Sequence, residues 1–293
     1  MSARRQGLLA ALAAAALATA ASAQPLRVVT LFTVLTEIAR EVGGGAVAVQ
    51  PLLPPGVDPH TFEPAPRDMR ALSGADLILA SGLGLEPYLR KLAANAGGRA
   101  VIAEAGGVLR DEAVRAGPRG EPDPHWWNSA RATAKVTRGV AEDFARLRPG
   151  EAAGFRARAG AYERRLAALD AWAARELAGI PAGRRRIVTT HDAFGWFARD
   201  YGFTVYPVSG LSPEADPDAR QLARLTDLIR REGIRAVFVE NSENSKLAAA
   251  LARETGAKIG GILYPDGLTT EPDGSTYERL FRHNVLTLAA GLK

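Results

Sequence analysis

The sequence predicts an α/β protein of two similar lobes, each with a mostly parallel four-stranded sheet, joined by a long rigid linker helix. Three observations predict it. Short β-branched and aliphatic runs alternate with longer amphipathic stretches, the pattern of βα units. The alternation occurs twice, on either side of a stretch rich in Ala, Arg, Glu and Leu. The chain of 293 residues is also long for one domain and comfortable for two.

The chain opens on Met-Ser-Ala-Arg-Arg-Gln, and residues 7–21 are almost wholly Leu and Ala. A charged start feeding an apolar run is the plan of a secretory signal, and the run is too short to cross a bilayer as a stable helix. It ends in Ala21-Ser22-Ala23, which suits a signal peptidase, so 1–23 is read as a signal peptide with Gln24 following it. No cysteine occurs to carry a lipid, and the expectation is a soluble exported protein, periplasmic in a bacterium with two membranes. Disulfides are excluded for the same reason, and any metal site must use His, Asp, Glu or backbone groups.

The first lobe is placed at 24–147, with strands at 27–30, 47–53, 77–80 and 100–102 and helical patterns between them. Residues 111–124 (DEAVRAGPRGEPDP) are charged, rich in Gly and Pro and without apolar periodicity, so a mobile loop is expected there, leading into His125. A helical stretch from Asn128 is broken at Arg148-Pro149-Gly150, where proline and glycine end one helix and start another. The linker is placed at 148–182. Its helix, 151–178, carries Tyr162, Leu166, Leu169, Trp172 and Leu177 three to five apart, so one face can pack while the other stays wet. The second lobe is placed at 183–293, with strands at 187–190, 204–208, 236–240 and 259–263, helices near Phe194, Leu222 and Leu247, and a last helix at 277–290.

Formal charge is +5, about +3 without Arg4 and Arg5, and acids and bases are mixed along the chain, so nucleic acid is not an expected partner. Chemistry rests on few residues, because the chain has only four histidines. His60 and His125 share a setting, Asp58-Pro59-His60 and Asp123-Pro124-His125, each imidazole following a stiffening proline in a loop. His191 follows Ile187-Val188-Thr189-Thr190 at the carboxyl end of an expected strand, where open α/β sheets bind ligands. Asp266, after Ile262-Leu263-Tyr264-Pro265, and Glu240 are placed the same way. His283 lies in the last helix and reads as a surface or packing residue. Three imidazoles and one carboxylate would make a closed, roughly tetrahedral site suited to Zn²⁺. Ligand intervals of about 65 residues are no local motif, so spacing alone does not define that site.

The motifs Gly56-Val57-Asp58-Pro59-His60-Thr61-Phe62-Glu63-Pro64, Asp123-Pro124-His125-Trp126, Thr190-His191-Asp192-Ala193-Phe194-Gly195-Trp196-Phe197 and Tyr264-Pro265-Asp266-Gly267-Leu268 carry a family resemblance. The chain resembles the zinc and manganese solute-binding proteins of bacterial ABC transporters, the group that includes the metal-binding adhesins. The similarity spans essentially the whole mature chain. It implies metal ligands at His60, His125, His191 and Asp266, two from each lobe across the cleft between them, and a linker helix that permits only small lobe movements. It implies delivery to an inner-membrane ABC permease, with a periplasmic metallochaperone as a further partner, by a monomer. Manganese members commonly have a carboxylate at the third ligand position, so His191 points to zinc, with manganese as the alternative ion. Many zinc members carry a histidine-rich insertion before the second ligand, and 111–124 has no histidine, which implies a single metal site.

Glu63 and Glu240 are candidates to orient ligating imidazoles through their other N–H. The competing class is an exported zinc hydrolase with Asp266 or a histidine as base and a water on the metal; the chain lacks HExxH or any ligand pair on one helix. A receptor for an organic ligand is a third reading, and it leaves three well-placed histidines without a role.

Overall fold

The computed structural model describes residues 24–62, 65–89, 91, 94, 97, 99–117, 119–212, 219–241 and 245–293. The signal-peptide reading at 1–23 and the Glu63 assignment lie outside the described residues. Among the described residues no helix is long and apolar enough to cross a membrane.

The first half builds β1 (Leu26–Thr30), α1 (Thr33–Gly43), β2 (Val47–Pro51), α2 (Pro66–Gly74), β3 (Leu77–Ala80) and β4 (Val101–Glu104). The four strands are parallel in the order β2-β1-β3-β4. A parallel sheet must be covered on both faces, and that is why its strands read as near-continuous apolar runs. Val28, Leu77 and Leu79 face the main core, while Val29, Ile78 and Ala80 face a second cluster closed by Leu72 of α2.

A 3₁₀ segment at Ala105–Glu112 leads to a two-stranded antiparallel ladder, β5 (Arg115–Ala116) with β6 (Glu121–Pro122). The mobile loop expected at 111–124 is therefore corrected to a helical turn and a hairpin. The glycines that suggested a loop make the turn itself, since Gly117 and Gly120 both adopt φ of 68°. The hairpin is also tied down, because Gly117 N–H donates to the Asp192 carboxylate at 3.1 Å.

Two helices follow, α3 (Ala130–Leu147) and α4 (Ala152–Ala178), broken by the expected turn at Pro149–Glu151. Ser129 caps α3 by accepting from Ala132 N–H. With 27 residues, α4 is about 40 Å long. It buries Phe155, Tyr162, Leu166, Leu169 and Leu177, while Trp172, expected on the same face, lies partly exposed under the Arg282 guanidinium.

The second half repeats the plan with β7 (Arg186–Thr189), α5 (Gly195–Tyr201), β8 (Thr204–Pro207), α6 (Ala219–Glu232), β9 (Ala236–Glu240), α7 (Ser245–Thr255), β10 (Lys258–Leu263) and α8 (Tyr277–Leu292). These strands are parallel in the order β10-β9-β7-β8. One apolar cluster runs without a break through both halves, from Phe32 and Trp127 through Tyr162 of α4 to Phe197 and Phe281. Around α4 this core is backed by two hydroxyls that donate to carboxylates, Tyr162 to Glu37 of α1, at 3.0 Å, and Tyr201 of α5 to Asp170, at 2.7 Å. Sliding one half past the other would expose that shared core.

Candidate metal centre

Each candidate ligand sits where the backbone turns away from regular structure. His60 lies in the loop after β2, His125 at the start of the 3₁₀ turn Trp126–Asn128, His191 just past the carboxyl end of β7, and Asp266 just past β10. The structure brings all four together, their ligand atoms lying within 4.8 Å of one another.

His60 Nε2 is 3.1 Å from His125 Nε2 and 3.5 Å from Asp266 Oδ1; His125 Nε2 and His191 Nε2 are 3.9 and 3.3 Å from that oxygen. A tetrahedral ion with bonds of zinc–imidazole length separates its donors by about 3.3 Å. His191 Nε2 and Asp266 Oδ1 are buried and make no hydrogen bond of good geometry, a state rare in protein interiors unless another group completes the site. His125 and His191 are fully enclosed, while the His60 and Asp266 side chains are 9% and 13% exposed and form the side open to solvent.

The ring nitrogens facing away from the cluster are held by carboxylates. Asp123 Oδ1 takes both the backbone N–H of His125, at 2.9 Å, and its ring Nδ1, at 2.7 Å. Glu240, at the end of β9, takes His191 N–H at 3.2 Å and ring Nδ1 at 2.6 Å. Both arrangements fix the tautomer that leaves Nε2 free to bind. Glu240 was legible as a strand-end carboxylate. The role of Asp123 was missed, although the repeated Asp-Pro-His held the signal: an Asp accepts from the N–H two residues on. Asp58 does so for His60, at 2.7 Å.

Burial pushes the His125 pKa below the ordinary imidazole value, against the pull of Asp123. Burial opposes charge on His191 as well, but Asp266 and Glu240 overcome it and hold its pKa well above that value. Asp266 is the converse case, where burial is outweighed by His191 and His60 and the carboxyl is held far below its usual range. The same carboxylate that favours a proton on His191 would favour a cation held between them.

Replacing Glu240 by Gln removes the charge behind His191 while keeping the shape. Zinc affinity should fall by about 10- to 100-fold, read by competition with a chelating dye; unchanged affinity would mean that Glu240 does not support the ligand.

His283 does not join the cluster. It stacks on Tyr264 at 4.1 Å and bonds Asp273 and the Ile262 carbonyl at 2.6 and 2.8 Å.

Such a cluster in the seam of two parallel α/β lobes places the chain among the metal-binding substrate receptors of ABC transporters. It belongs to the family described as zinc-uptake complex component A, periplasmic, whose model matches residues 28–291. It is 35% identical over 307 residues to the manganese-binding lipoprotein MntA of Bacillus subtilis, covering 99% of this chain and 100% of that protein. It is 33% identical over 282 residues to the zinc-binding protein TroA of Treponema pallidum, with 93% and 90% covered. The solved TroA structure superposes with a TM-score of 0.84 at 31% identity, over 92% of this chain and 99% of that one. A third relative, the iron-binding protein YfeA of Yersinia pestis, is 32% identical over 272 residues, with 92% and 87% covered. Family members are substrate-binding transport proteins rather than enzymes and work with an ABC permease.

Proposed function

We propose that this chain captures Zn²⁺ in the periplasm with His60, His125, His191 and Asp266 and delivers it to an inner-membrane ABC permease for uptake. The observation that carries this reading is the donor set, three imidazoles and one carboxylate whose ligand atoms lie within 4.8 Å of one another. Four protein donors fill a tetrahedral sphere and leave no position for a catalytic water, which favours a receptor over a hydrolase. Nitrogen-rich, four-coordinate sites suit zinc, whereas manganese favours carboxylates, carbonyls and water.

The lobes carrying the ligands in pairs are 24–147 and 183–293, with 148–182 as the linker that limits their motion. The receptor acts as a monomer, released into the periplasm by cleavage after Ala23, and a metallochaperone is a compatible partner. The name of the Bacillus subtilis relative keeps manganese as the second reading. Because zinc outcompetes manganese at most nitrogen-rich sites in a test tube, the choice is tested by elemental analysis of protein purified from its native periplasm without added metal: zinc should be the ion found, and manganese would reverse the reading.

Acid should weaken zinc binding. Imidazole binds metal only when neutral, and the raised pKa of His191 means that the incoming ion must displace a proton. Affinity should therefore begin to fall while the pH is still above the ordinary imidazole value of about 6.5 and go on falling below it, and calorimetry in buffers of different ionisation enthalpy should show proton release near neutrality. Affinity unchanged at about pH 5 would rule out a three-histidine site.

A further inference from the structure

We propose that Asn128, assisted by Trp127, is the positioning residue that ties the ligand turns of the two lobes together and sets how long the metal stays bound. The inference rests on the receptor reading above. Asn128 is 1% exposed and closes the turn that His125 begins, its N–H donating to the His125 carbonyl at 3.1 Å. Its side-chain NH₂ has two hydrogens and meets two carbonyls of the other lobe. One is Ala193 O at 3.0 Å, two residues past His191; the other is Pro265 O at 3.3 Å, one residue before Asp266. A single amide thus touches the turns that present the second, third and fourth ligands.

Pro265 O receives a second donor from the same turn, Trp127 Nε1, at 2.6 Å. Its peptide plane continues into the nitrogen of Asp266, so two donors fixed in the first lobe orient a ligand borne by the second. The rest of that turn is gripped from the same side. Leu268 N–H donates to Thr33 Oγ1 at 2.9 Å, and Leu268 O accepts from Gly56 N–H at 2.9 Å. Gly267, at φ of 103°, passes so near Thr33 and Phe32 that a Cβ would lie 2.5 Å from the Thr33 hydroxyl. Asp266 cannot leave the cluster while these bonds hold. Breaking them is the step that frees the ion.

Asn128→Asp replaces the donating NH₂ by an oxygen facing two carbonyl oxygens. Zinc dissociation, measured by stopped flow into excess chelator, should quicken by on the order of tenfold, with association changed much less. Trp127→Phe keeps an aromatic ring beside Phe32, whose ring is 4.1 Å from that of Trp127, and deletes the N–H together with the rest of the indole. It should give a smaller rise in the same direction and carries the test if Asn128→Asp does not fold. The visible spectrum of the Co²⁺-loaded variants should change with the altered Asp266 geometry. Variants that lower the melting temperature of the metal-free protein yet keep wild-type dissociation rates and Co²⁺ spectra would overturn the proposal, leaving the receptor reading intact. A wild-type protein that binds neither Zn²⁺ nor Co²⁺ would sink both.

Discussion

Replacing His191 by alanine is expected to weaken Zn²⁺ binding by more than about a hundredfold, beyond the 10- to 100-fold typical of losing a group that merely supports a ligand. His191 supplies a buried Nε2 that has no other hydrogen-bond partner, and its Nδ1 is held by Glu240 at 2.6 Å. The substitution removes a donor from the cluster and also strands Glu240, itself 2% exposed, without the imidazole that pairs with it. Loss of one partner from a buried pair costs about 3–5 kcal/mol, so the metal-free variant should unfold at lower urea concentration as well. His283→Ala provides the contrast. Its ring contacts lie at Tyr264, Asp273 and Ile262 and not at the cluster, so zinc affinity should stay near wild type. A His283 variant that loses zinc while the His191 variant keeps it would reverse the assignment.

Zinc should also act as a large stabiliser of the folded chain. A ligand that binds only the native state at a thousand times its dissociation constant adds about 4 kcal/mol, which for a chain of this size raises the melting temperature by about 7 °C. The donors come from both halves, so the ion bridges turns that follow β2, β7 and β10 and the turn that opens at His125. Differential scanning calorimetry with and without a chelator measures the shift. The gain should vanish on chelation and shrink in acid, as protons compete for His191. A shift below about 2 °C at saturating zinc would mean that the cluster does not hold the ion in the native state.

The sheets were largely legible because their strands are covered on both faces and therefore appear as unbroken apolar runs. The run at Leu77–Ala80 and that at Ala236–Glu240 coincide with the strands, whereas β4 was cut short because it ends in Ala103-Glu104, which does not look like a strand. The hairpin at 115–122 was illegible for a related reason. Each strand is two residues long, too short for any alternation to register, and its order depends on Asp192, 75 residues downstream of Gly117. The ligand set divides in the same way. His191 and Asp266 could be placed at strand ends by local pattern, but their meeting with His60 and His125 comes from folding two halves onto α4, which no local pattern encodes. The partners of Asn128 and Trp127 were hidden too, since both residues act through backbone carbonyls that any sequence would supply.

The central claim is that one zinc ion sits among His60, His125, His191 and Asp266. A crystal structure of the zinc-loaded protein, with anomalous data collected on both sides of the zinc absorption edge, tests it most directly. A single strong peak is expected, bonded at about 2.0–2.2 Å to Nε2 of all three histidines and to Oδ1 of Asp266, with no water in the sphere. Zinc bound elsewhere, or at these residues with an open position taken by water, would contradict it.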